Sequence, residues 1–354
     1  MISKKTNTAL QDITLNEGWK RQLQDILNKN SGTRVNGKVA SNRTQDIACK
    51  TLFSEFNTLR DLGYRTMPIN FGNKQMEVLV KNWYYTRKLS PKTMATHLTQ
   101  FRKFAEWIGK KGMVRDLVHY LSDVDPKLLQ VHFAATESKS WSEHDIDVIE
   151  EITRGDAMDL RFGCMLRLEY AFGYRMQECL LCDPWVTDNI HSIAILPSQG
   201  KGNRARNIPI DSPAQRKIIE YIKTIIKKGE KVGWCDVDGT PHDLKVNINR
   251  YGYLMRKLGM TKKDRGVTGH GLRAEYSEDQ ALRLGYIPPT LGGTNDQMSK
   301  EDLTIKQKQV SERLGHSRSS VTAAYYGSSE LAKENTKRRD EAKNKNKVID
   351  AVSR

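Results

Sequence analysis

The sequence predicts a mainly α-helical protein with one small antiparallel β-sheet, an α+β chain in two globular parts. Three observations carry this. Apolar residues recur at three- and four-residue steps along most of the chain, the period of one helix face. In one stretch only, two short apolar runs, Ile193–Leu196 and Ile208–Ile210, flank a Gly/Asn turn, as in a hairpin. A polar stretch over 123–140, with Pro126 and a Ser/Thr/Glu/Lys patch, separates the two parts, and 354 residues suffice for two domains.

The elements follow in order. Residues 1–40 read as a flexible arm holding one short helix around "EGWKRQLQDIL". A helical domain over 41–122 opens with "ACKTLFSEFNTLRDLGY", where Leu52, Phe56, Leu59 and Leu62 share a face and Gly63 is a stop signal. "NKQMEVLVKNWYYTRK" is the next helix. "LSPKTMATHLTQFRKFAEWIGKKG" then starts with Ser90 as N-cap and Pro91 at the first helical position, and Met94, Leu98, Phe101, Ala105 and Ile108 line one side. After the 123–140 linker a second domain spans 141–330. Its helices are "SEHDIDVIEEI" and "DAMDLRFGCMLRLEYAFG" before the hairpin. "SPAQRKIIEYIKTIIKK", "DLKVNINRYGYLMRKLG", "GLRAEYSEDQALRLG" and "LTIKQKQVSERLG" come after it. Residues 331–354 form a basic tail, helical or disordered.

Charge points to the partner. The 58 Lys and Arg exceed the 42 Asp and Glu, a formal net charge of +16, which favours a polyanion and nucleic acid first. Within 81–118, nine basic residues face two acidic ones, interleaved with Trp83, Tyr84, Tyr85, Phe101, Phe104 and Trp107. The aromatics and the charges fall on different helix faces. That arrangement predicts a core of rings and a phosphate-binding face including Lys81, Arg87, Lys88, Lys92, Arg102 and Lys103. Five cysteines in a chain this long imply no disulfide framework, and the Cys179-x-x-Cys182 pair lacks a second pair for zinc. "MISKKTNTAL" has no apolar core of a secretory signal, and no apolar run reaches the ~18 residues of a membrane span. The expectation is a cytoplasmic protein with no membrane partner.

Four separated segments hold residues suited to chemistry at a phosphodiester. Such a reaction needs a nucleophile, cations on the non-bridging oxygens and a proton for the leaving oxygen. "YAFGYRMQECL" places Arg175 after a glycine with Glu178 three residues on. "QGKGNRARNIPI" puts Lys201 between two glycines of the hairpin turn, with Arg204 and Arg206 as nearby rivals and DNA-contact candidates. "GHGLRAEY" spaces His270 and Arg273 to share one face. "LGHSRSSVTAAYYG" supplies His316, Tyr325 and Tyr326.

The ordered set G-Y-R-M-Q-E, G-K-G-N-R, H-G-L-R and L-G-H-S, with a tyrosine nine residues beyond the last histidine, resembles the tyrosine recombinases of the phage-integrase type. The resemblance covers about 140–327. It implies a catalytic domain of that family preceded by a helical core-binding domain. It implies Tyr325 as nucleophile, forming a 3′-phosphotyrosine, with Arg175 and Arg273 on the phosphate. Lys201 would be the general acid, His270 the general base or orienter, and His316 a phosphate ligand. Glu178 would brace Arg175, and Tyr326 would pack. No metal or other cofactor is implied. The partners implied are double-stranded DNA with inverted core sites, three further copies in a homo-tetramer on two duplexes, and host DNA-bending and directionality factors. The element would be a phage or another mobile element. A type IB topoisomerase-like nicking-closing enzyme and a non-catalytic DNA-binding protein of the same fold are the alternatives. Arg273 and His316 stand 43 residues apart, and the Pro/Gly-rich "GYIPPTLGGTNDQMSKEDLT" between them reads as a long loop aimed at DNA or a neighbouring subunit.

Overall fold

The computed structural model describes residues 17–30, 34–35, 38–39, 42–200, 202–316 and 319–352. The chain divides into two compact units, Met1–His132 and Phe133–Arg354. The fold is α+β.

In the first unit four helices share a core: α1 (Gly18–Asn30), α2 (Asn42–Asp61), α3 (Asn73–Lys81) and α4 (Pro91–Trp107). A two-stranded ribbon, β1 (Arg34–Val35) with β2 (Lys38–Val39), joins the first two. Helix α4 begins as the sequence predicts, with the Ser90 hydroxyl accepting from the Thr93 amide and Pro91 in the first turn. Trp83, Phe101 and Phe104 are fully buried in the core and Tyr84 and Trp107 are half-buried against it, but Tyr85 is exposed, which corrects its expected place among the core rings. Helix α1 belongs to this core too. Trp19, Leu23 and Leu27 recur every fourth residue and are buried, so this part of the expected arm is a structural helix. The remainder of residues 1–40 lies largely outside the described residues.

The expected linker is likewise taken up by packing. Leu129, in a 3₁₀ turn at Pro126–Leu129, closes on the first core. From Phe133 the chain is part of the second unit, where the Ala135 amide donates to the Ala323 carbonyl at 2.8 Å.

The second unit wraps helices around α7 (Leu160–Phe172), which is buried nearly all round. A short α5 (Leu117–Tyr120) ends the first unit, and α6 (Val148–Met158) opens the second, capped by Asp147. After α7 come α8 (Met176–Leu181) and α9 (Pro184–Thr187). The hairpin β3 (Ser192–Ile195) and β4 (Arg206–Pro209) follows, antiparallel, with Ile193 opposite Ile208. Then come α10 (Pro213–Ile225), α11 (Leu244–Lys257), α12 (Lys262–Arg265), α13 (His270–Arg283), α14 (Lys300–Arg313), α15 (Ser319–Tyr326) and α16 (Ser329–Val352).

Helix α13 is unusually polar for its burial. Two of its carboxylates are taken up by neighbours: Glu275 accepts from the Ser142 amide at 3.1 Å, and Glu278 accepts from Ser138, Ser140 and Thr290 hydroxyls at 2.8–2.9 Å. Burial raises the Glu278 carboxyl above its ordinary pKa, against the pull of those hydroxyls.

The long segment after α13 packs on its own unit rather than projecting. Pro289–Leu291 forms a 3₁₀ turn, and the first half of the expected tail, as α16, lies on it. Asn335 Nδ2 donates to the Pro289 and Gly293 carbonyls at 2.9 and 3.0 Å. Arg339 grips Asp296 with both terminal nitrogens, at 3.0 and 2.7 Å.

Candidate active site

Arg175 stands at a helix start made by its neighbours. Gly173 ends α7 with φ of +60°, and a Cβ there would lie 2.3 Å from Tyr276 Cδ1. Only glycine allows this approach of α7 to α13. The chain then turns, and Arg175 caps α8. Its amide donates to Glu178 Oε2 at 2.9 Å and its Nη1 to Oε1 at 2.7 Å.

Arg273 rises from the first turn of α13 and is 1% exposed. One terminal nitrogen donates to the Gly173 carbonyl and the other to the Leu314 carbonyl. Arg175 Nη2 donates to that same Leu314 carbonyl at 3.3 Å, so the two guanidiniums converge at the end of α14. Arg273 Nε donates to the Tyr325 hydroxyl at 3.0 Å, a charge-assisted hydrogen bond. Burial lowers Arg273 to about 10, opposed by Tyr325, so it remains a cation at neutral pH.

Two imidazoles flank the phenol. The His316 ring stacks on Tyr325 with centroids 5.6 Å apart and planes 19° apart, and His270 lies 5.2 Å away. His316 Nδ1 meets Thr322 Oγ1 at 2.9 Å. The hydroxyl can accept from Nδ1–H, or donate to Nδ1 and leave the proton on Nε2. The second tautomer can donate to a phosphate oxygen. Burial, then Arg273, Arg175 and Lys139, pushes His270 down to about 4. Burial first and the charges of Arg273 and Arg175 next lower His316 to about 3. Both rings are neutral at pH 7.

Tyr326 points elsewhere. It is 2% exposed and meets the Tyr286 ring edge-on at 6.0 Å. The structure therefore brings Arg175, Glu178, His270, Arg273, His316 and Tyr325 together. Lys201 lies outside the described residues.

Glu178 serves two arginines. Arg206, from β4, donates to it through Nη1 at 3.0 Å and Nη2 at 2.7 Å, and its Nε donates to the Arg313 carbonyl at 3.0 Å. Burial alone would raise the Glu178 carboxyl, but Arg206 above all, and then Arg175, hold it at about 2. The Arg206 side chain is 7% exposed, which corrects its expectation as a DNA contact: its donors are already spent inside the protein. Arg204 is exposed beside the hairpin turn.

The basic candidates of the first unit divide similarly. Arg87 pairs with the buried Glu55 at 2.8 and 2.9 Å, and Arg102 holds the Val114 and Arg115 carbonyls and Asp116. Both have a structural task that the sequence did not reveal. Lys81 meets Glu77 at 2.6 Å on the surface, Lys88 and Lys92 are exposed, and Lys103 is half-buried.

Sequence reasoning missed Lys139, assigned to the linker. Its Nζ donates to the Ala324 carbonyl at 3.1 Å, next to Tyr325, and its charge acts on His270. Lys139 and Ala135 fasten the irregular segment 133–140 to the helix that carries Tyr325. The signal available was the polar "TESKS" before Trp141.

Fold and site define a class: an α+β enzyme of integrase architecture whose central phenol sits among cations. No family model matches the chain. Among curated proteins it is similar to the tyrosine recombinase XerD of Oceanobacillus iheyensis, at 22% identity over 67% of this chain and 71% of that one. It is also similar to the tyrosine recombinase XerC of Chromohalobacter salexigens, at 24% over 68% and 71%. Among solved structures, a lambda integrase tetramer bound to a Holliday junction aligns with TM-score 0.57 and 12% identity, over 91% of this chain and 81% of that one. The Tn1549 transposon integrase bound to transposon right-end DNA aligns with TM-score 0.55 and 13% identity, over 91% and 99%. The structural likenesses show the fold. The curated relatives are named tyrosine recombinases, the family that the ordered motifs of this chain resemble.

Proposed function

We propose that the chain cuts and rejoins DNA strands at specific sites of a mobile genetic element through a 3′-phosphotyrosine. The observation that carries this is the Tyr325 hydroxyl held 3.0 Å from Arg273 Nε, beside Arg175 and between two neutral imidazoles. The Tyr325 oxygen attacks phosphorus, the bond to the 5′ oxygen breaks, and that oxygen leaves as a hydroxyl. The phenolic proton goes to a base, for which neutral His270 is the candidate. The leaving oxygen takes its proton from an acid, for which Lys201 is the candidate. Arg175 and Arg273 neutralise charge on the non-bridging oxygens, where one donor is typically worth ~10²–10³ in rate. Bond energy is kept in the phosphotyrosine, so rejoining is the reverse attack by a 5′ hydroxyl.

The net charge of +16 supports DNA as the partner. The similarity in fold to a lambda integrase tetramer bound to a Holliday junction supports four copies on two duplexes, with inverted core sites as the target. The exposed Lys88, Lys92 and Arg204 are the backbone contacts the surface best supports. The test is a nicked suicide duplex carrying the core site. The parent should form a covalent adduct mapping to Tyr325 by peptide mass, and Tyr325→Phe should form none while still binding. An adduct on another residue, or strand joining by Tyr325→Phe, overturns the reading.

A further inference from the structure

We propose that Arg206 is a positioning residue, acting through Glu178 to keep Arg175 free for the phosphate. This rests on the catalytic reading above and deepens it. Arg206 touches no reacting atom; its contacts are with the groups that do.

One carboxylate holds two guanidiniums. Glu178 Oε1 accepts from Arg175 Nη1 at 2.7 Å and from Arg206 Nη1 at 3.0 Å. Oε2 accepts from the Arg175 amide at 2.9 Å and from Arg206 Nη2 at 2.7 Å. Four N–H groups fill the roughly four acceptor sites of a carboxylate. Arg206 takes two of them in the bidentate geometry that makes such pairs strong. Arg175 therefore makes a single side-chain contact to Glu178 and, apart from the long Nη2 bond to the Leu314 carbonyl, keeps its remaining donors, on a side chain 23% exposed against 7% for Arg206. In charge, two cations and one anion leave one net positive charge, and it sits on the arginine that faces outward.

The same side chain supports the His316 loop. Arg206 Nε holds the Arg313 carbonyl at 3.0 Å, and a Cβ on Gly315 would lie 2.9 Å from Arg206 Cδ and Nη1. Gly315, at φ +67°, lets the loop lie on the guanidinium. Arg206 thus ties the hairpin that bears Lys201 to Arg175 and to the loop bearing His316.

Without Arg206, Arg175 is the one arginine left hydrogen-bonded to the buried Glu178, with Arg273 acting on it only at a distance. Arg175 would close on it bidentately and lose its outward charge. Arg206→Gln should slow single-turnover cleavage of the suicide duplex about 10- to 100-fold, the size typical of losing a group that orients a directly acting one. Its affinity for the duplex and the salt dependence of that affinity should be unchanged. Glu178→Gln placed on Arg206→Gln removes the unneutralised charge and should restore most of the rate. Arg206→Lys, which keeps charge without the fork, should fall between.

Weakened binding with a salt slope lower by about one makes Arg206 a DNA contact and overturns the proposal. So does a double variant no faster than Arg206→Gln. If Arg206→Gln does not fold, the parent, Arg206→Lys and the double variant decide: the order parent, then Arg206→Lys, with the double variant still cleaving, supports it, and an inactive, folded double variant overturns it. Loss of adduct in the parent would instead strike the Tyr325 reading, so the two failures are told apart.

Discussion

Tyr325 and Tyr326 are adjacent and chemically identical, yet their surroundings differ. One oxygen meets Arg273 and the ring lies against His316; the other ring packs against Tyr286. Tyr326→Phe should therefore cleave within a few-fold of the parent in the assay that finds Tyr325→Phe dead. The histidines give a pH test. His316 is held at about 3 when folded, below its ordinary value near 6.5, so between those limits the unfolded chain binds more protons. Stability from the folded neutral ring is fully present above pH 6.5 and is lost as pH falls. Relative to His316→Gln, the parent should lose roughly 1–2 kcal/mol between pH 6.5 and 5, read from urea midpoints. No relative loss would mean the ring protonates freely. The six residues gathered at this site were legible because each sits in a short motif of fixed spacing. Arg206 was not: an arginine beside a turn reads the same whether it faces solvent or a buried carboxylate 28 residues earlier.

Among elements, the hairpin and the capped start of α4 could be read from sequence, since Ser90-Pro91 and a Gly/Asn turn act locally. Helix α1, the irregular segment 133–140 and the start of α16 could not be placed, because polar segments reveal packing only through distant partners such as Glu278 and Ala323. The junction of α7 and α8 is the sharpest local demand. Gly173→Ala adds about 1–2 kcal/mol for the left-handed backbone, and its Cβ meets Tyr276 at 2.3 Å. We expect a loss of at least 2–3 kcal/mol in denaturant titration. Arg175 should be displaced with it, so cleavage should fall even where the variant remains folded.

For the molecule as a whole, net charge governs encounter with DNA. If six to ten phosphates are contacted, affinity should fall about 10³- to 10⁵-fold between 50 and 200 mM salt. A flat dependence measured by anisotropy would count against backbone contact as the source of affinity.

The segment over 285–299 and helix α16 hold each other through Asn335, Thr336 and Arg339. A helix fastened to its own body must be unfastened before it can be lent to another copy. The fraction of loosened molecules, rather than the frequency of collisions, would then set the pace of assembly. Arg339→Ala, by freeing Asp296, should quicken synapsis of paired sites without changing occupancy of a single site.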